Sequence, residues 1–158
     1  MNNELRKTRL QSSFELLVTL SFGLAILLPV VAFAFLQIAN ANSSLSAIAA
    51  QQAASKIAST ATIVGSEGSP AKQVIQLAIP PGVQYIYIGT LNNGIGHEII
   101  FVVRSSTGYS YVTAYTPQNV TGSLGSITSS GTYLINVSAQ SQCPLLQPVP
   151  CVYVSPIV

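Results

Sequence analysis

The stretch Leu16–Leu36, LLVTLSFGLAILLPVVAFAFL, is apolar on every face and carries no charge. As a helix rising about 1.5 Å per residue it is roughly 32 Å long, enough to cross the hydrocarbon core of a bilayer. Pro29 cannot donate to the Ala25 carbonyl, so a kink or local loosening is expected there, with Gly23 a second soft point. Membrane helices tolerate both.

What flanks this run sets its orientation. Arg6, Lys7 and Arg9 precede it, whereas Lys56, Lys72 and Arg104 are scattered far downstream. The positive-inside rule then puts the N-terminus in the cytoplasm and everything after Leu36 outside. The same scatter leaves no basic patch for nucleic acid, although the formal net charge is +2. Charged residues make up only 6% of the chain, against about 25% in a typical soluble protein. Ser, Thr, Asn and Gln supply the polarity instead, and attached sugar would help to solvate such a surface.

After Leu36 the sequence QIANANSSLSAIAAQQAASKIASTATIVGSEGSP is rich in Ala, with Ile38, Leu45, Ile48, Ile57 and Ile63 mostly at helical spacing. One continuous hydrophobic helix is predicted over 11–64, with its membrane span at about 16–36. Gly65, Gly68 and Pro70 read as stop signals. Small residues in the second half favour close packing with neighbouring helices.

From Lys72 the pattern changes to short β-prone runs, KQVIQLAI, VQYIYIG, HEIIFVVR, YSYVTAY, TYLINVS and CVYV. Turn residues break them at Pro80, Asn92, Ser105, Thr116 and Ser129. The expected fold class is therefore α+β: a long N-terminal helix followed by a small antiparallel β-sandwich over 70–158.

Two cysteines, Cys143 and Cys151, lie close together in the exported part and read as a disulfide in an oxidising compartment. The alternative, a zinc site, lacks nearby ligands to complete a set of four, so no metal or cofactor is expected. Nor is an enzyme. The chain has no Asp, and its single His97 beside Glu98 opens a strand, where adjacent side chains point to opposite faces.

Three readings of the N-terminus compete. A secretory signal could end at Ala34 or Ala41, after AFA or ANA. A plain single-pass anchor would hold an external binding module that never polymerises, with Glu15 at headgroup level. The third reading has a cut on the cytoplasmic side, before Gln11, leaving the hydrophobic helix on the product.

Gln11-Ser12-Ser13-Phe14-Glu15, after basic residues and before the apolar run, resembles the Gln-x-Ser-x-Glu signature of class III signal peptides in archaeal type IV pilin-like proteins. Pro81-Gly82-Val83, EIIFVVRSSTGYSYVTAYTPQNVTGSL and GTYLINVSA are similar to the external β-domain of that family. The resemblance implies a leader over 1–10 and cleavage between Leu10 and Gln11 by a prepilin peptidase. It also implies a motif of Gln11, Ser13 and Glu15 used in processing and assembly, and a pilus assembly machinery as partner. Copies of the chain would then polymerise through their N-terminal helices into an extracellular filament, with adhesion the implied use. On this reading Glu15 neutralises the new α-amine of Gln11, in its own subunit or a neighbour.

Asn42-Ser43-Ser44, Asn119-Val120-Thr121 and Asn136-Val137-Ser138 fit the N-glycosylation pattern, so N-linked glycans are expected on Asn42, Asn119 and Asn136. All seven tyrosines lie between Tyr85 and Tyr153, with Tyr109, Tyr111 and Tyr115 on one face of an extended run. A sticky patch is one reading. The plainer one is that Tyr suits a pleated, half-buried surface.

Overall fold

The computed structural model describes residues 2–92, 94–105, 108–127, 129–143 and 149–157, with side chains from Phe14 onward. Helix α1 spans Asn2–Glu67 and continues through Pro29. Six strands follow: β1 (Lys72–Ile79), β2 (Val83–Gly89), β3 (Gly96–Ser105), β4 (Gly108–Gly122), β5 (Gly131–Gln140) and β6 (Cys151–Pro156). The chain divides into two compact units, Met1–Ala41 and Asn42–Val158, so the second half of α1 belongs with the sheet.

The helix outlasts the expected end at Val64 by a turn. Gly65 is an internal residue of α1, and the end comes at Gly68, whose φ of 76° and N–H bond to the Val64 carbonyl (3.2 Å) form a left-handed cap. Gly65 is needed for a different reason. A Cβ there would stand 2.5 Å from Cγ of Gln118 on β4, so the missing side chain lets helix and strand touch.

The strands form one six-stranded sheet in the order β1-β5-β6-β4-β3-β2. All neighbours are antiparallel except β4 and β6, which run parallel through Val120↔Val152 and Gly122↔Val154. No second sheet stacks on this one among the described residues. The second layer of the expected sandwich is helical: Ala50, Ala53, Ala54, Ile57, Ala58, Ala61 and Val64 are buried against the inner face of the sheet. Their spacing of three and four residues makes one stripe of the helix, and the small Ala side chains let the backbone lie close.

Topology requires that the sheet curl. Strands β1 and β2 are its two edges, yet only Pro80, Pro81 and Gly82 join them. Five strand spacings in a flat sheet would separate the edges by about 24 Å, whereas the four steps from Ile79 to Val83 reach about 14 Å. The sheet therefore wraps around the Ala-rich stripe, and Ile75, Leu77, Ile88, Phe101, Ile135 and Val154 close the core around Ile57.

The break expected at Thr116 is absent; β4 runs on through Pro117 to Gly122. Pro117 is accommodated because the β3–β4 register shifts there, from Glu98↔Tyr115 to Gly96↔Val120, so no ladder bond is demanded of its nitrogen. Beyond the shift, β4 takes β6 as its partner. The C-terminal strand thus sits in the interior of the sheet, between β5 and β4.

Candidate functional site

In the first unit the relevant feature is surface. Every described residue from Phe14 to Ala41 is exposed, with Phe14 at 70%, Phe22 at 69% and Phe35 at 69%. Within the described part of α1, Phe14–Glu67, this first half holds a window apolar enough to cross a membrane, and none of that window is buried within the chain. Its few hydroxyls are satisfied inside the helix: Thr19 donates to the Glu15 carbonyl and Ser21 to the Leu17 carbonyl. Neither therefore presents an unmet donor to a hydrocarbon environment. Glu15 is exposed one step before the run begins. Leu10, Gln11 and Ser13 lie outside the residues whose side chains are described.

In the second unit helix and sheet are tied by polar contacts as well as by the core. Thr62 Oγ1 donates to the Ala58 carbonyl (2.8 Å) and lies 2.9 Å from Oγ1 of the fully buried Thr116. A hydroxyl has one hydrogen, so Thr116 is the donor in that pair. The Gln118 N–H in turn points to Thr116 Oγ1 (3.4 Å), which completes a one-way chain from β4 to the helix. Lys56 Nζ donates to the Gln76 carbonyl (2.8 Å) on edge strand β1, and Gln51 Nε2 to the Thr113 carbonyl (3.1 Å). A lysine over a free carbonyl blunts that edge against pairing with another strand.

Cys143 and Cys151 are disulfide-bonded, which fastens the start of β6 to the loop leaving β5. Asn42 is exposed on the helix, while Asn119 is half-buried and its Nδ2 donates to the Pro150 carbonyl (3.4 Å). Asn136 lies on the outer face of β5, between Val74 of β1 and Ser155 of β6. Val74 and Leu134 beside it are half exposed.

His97 sits at the β3 register shift, its Nδ1 3.0 Å from the Gln118 carbonyl and its ring 6.0 Å from that of Tyr115. Among the described residues no group of three or more His, Cys, Asp or Glu converges.

The outer face of β2, β3 and β4 brings together residues that strand-by-strand reading kept apart. Cross-strand register aligns Tyr85 with Val102 and Val102 with Tyr111, and sets Tyr87 opposite Ile100. Although they face away from the helix, Val102 and Ile100 are only 5% and 6% exposed, on a face that also carries Tyr85, Tyr87 and Tyr111. Same-face alternation in each strand was visible in the sequence, but the register that gathers Tyr85 and Tyr87 beside Tyr109 and Tyr111 was not. Comparison of the chain with protein-family models, with curated proteins and with solved structures gives no match.

Proposed function

We propose that the chain is a structural subunit of an extracellular type IV pilus-like filament, made as a membrane-inserted precursor and polymerised through α1 once its leader is removed. The observation that carries this reading is the exposed apolar surface from Phe14 to Ile38. An apolar surface of that length has to be covered by lipid or by protein. Lipid covers it in the precursor and neighbouring copies cover it in the filament.

Charge supports the exchange. Removal of residues 1–10 leaves Lys56, Lys72 and Arg104 against Glu15, Glu67 and Glu98, so the trimmed subunit is formally neutral and its copies do not repel one another. Glu15 pairs with the α-amine that cleavage before Gln11 creates. The β-domains stay in solvent with N-linked glycans on Asn42, Asn119 and Asn136, and attachment to surfaces is the filament's use. A glycan on Asn136 would also cover Val74 and Leu134.

Electron microscopy of sheared surface material, combined with mass mapping of the subunit's N-terminus, tests the proposal. Filaments whose subunit begins at Gln11 support it. A monomer that keeps Met1 and stays in the membrane fraction supports an anchored binding module instead.

A further inference from the structure

The tyrosine face described above encloses a hollow of about 500 Å³, within the size range of small-ligand sites. It is lined by Tyr85, Tyr87, Tyr109 and Tyr111 together with Leu91, Asn92 and Val102. The Tyr85 and Tyr87 rings are nearly parallel, 23° apart with centroids separated by 6.1 Å. Tyr85, Tyr109 and Tyr111 are more than half exposed, while Val102, the cross-strand neighbour of Tyr85 and Tyr111, is buried.

We propose that this hollow binds a neutral oligosaccharide presented by the surroundings of the cell. Among the described residues no charged one lines it. On the outer row of β3, Arg104 lies two residues beyond Val102, opposite Tyr109, and Glu98 four residues before it, opposite Tyr115; neither enters the lining. Tyrosine hydroxyls and the Asn92 amide can both donate and accept, as sugar hydroxyls do. Flat ring faces supported from beneath suit the C–H faces of a pyranose, and a rigid aromatic side chain loses little freedom on binding. An apolar protein partner would have no use for so many hydroxyls in so small a depression. The inference does not depend on polymerisation, and the two can fail separately.

The chain has no Trp, and four of its seven tyrosines line the hollow, so tyrosine emission responds to binding there. Full-length protein in micelles of octaethylene glycol monododecyl ether, a detergent with neither sugar nor quaternary ammonium, is titrated with maltotetraose, cellotetraose and mannotetraose. At least one should give a saturable change. Tyr111→Ala or Tyr87→Ala should weaken it roughly two- to tenfold, Tyr111→Phe should retain most of it, and Tyr115→Ala, outside the hollow, should leave it unchanged. Circular dichroism and thermal melts confirm that each variant is folded. Three outcomes overturn the proposal: no saturable response to any of the sugars up to about 10 mM; saturation by choline in their place; or association of copies through this face, seen as a concentration-dependent mass that Tyr111→Ala abolishes.

Discussion

Gly65 of the helix and Gln118 of β4 are in such close contact that a methyl group on the glycine would overlap Cγ of the glutamine, at 2.5 Å. Taken alone, Gly65→Ala should stabilise the helix by about 1 kcal/mol through propensity. Here the clash should win, at about 1–3 kcal/mol for an overpacked site. The expected outcome is a lower melting temperature for Gly65→Ala, and a reversed sign when the same change is made in Gln118→Ala protein. A double-mutant cycle by thermal denaturation measures the coupling.

The directed chain from Gln118 through Thr116 to Thr62 makes its two threonines unequal. Thr62→Val leaves the fully buried Thr116 hydroxyl without its acceptor, at about 1–3 kcal/mol. Thr116→Val leaves Thr62 its own bond to Ala58 and should cost less, about 1 kcal/mol. The double variant should be less destabilised than the sum of the two single changes. Urea unfolding of the three proteins checks the ranking.

The disulfide fastens the strand that joins two otherwise separate groups, β1-β5 and β4-β3-β2. A loop as short as that between Cys143 and Cys151 gains about 2.5 kcal/mol from closure. Cys143→Ser together with Cys151→Ser should therefore lower the midpoint of denaturant unfolding. Hydrogen exchange should show the earliest loss of protection in β6 and its partners Val120–Gly122. Unchanged protection in β6 would mean that its pairing holds without the covalent tie.

Glu15 stands at the threshold of the apolar run, where an unpaired carboxylate is expensive once water is excluded. In cells making Glu15→Ala, subunits whose leader has been removed should give a yield of sheared filaments at least several-fold lower. Glu15→Asp should recover part of it. Immunoblots of membrane and surface fractions separate the two steps, and full assembly by Glu15→Ala would remove the pairing role.

Much of this fold is legible in the sequence because local rules agree with one another. Strands β1 and β2 have the bounds that their residue patterns suggest, since alternation of Ile and Leu with polar residues is interrupted by Pro80-Pro81-Gly82 and nothing else competes. Gly65 and Thr116 misled for the same reason as each other. Each looks like a local stop signal, but its meaning is tertiary: a close approach in one case, an inward-pointing buried hydroxyl in the other. The place of β6 between β4 and β5 depends on pairing between residues far apart in the chain, as does the clustering of Tyr85 and Tyr87 with Tyr111. No local pattern encodes either. The apolar run announced itself fully, because a surface left uncovered by the described residues needs no knowledge of register.

What covers that surface can be read directly. A photo-reactive benzoylphenylalanine in place of Phe22 or Phe33, both more than 60% exposed, reports its neighbours when irradiated in intact cells and in isolated surface filaments. Adducts to lipid before leader removal, followed by a ladder of subunit–subunit adducts in sheared surface material, is the predicted result. Lipid adducts alone, with the trimmed protein present and abundant, would contradict the account.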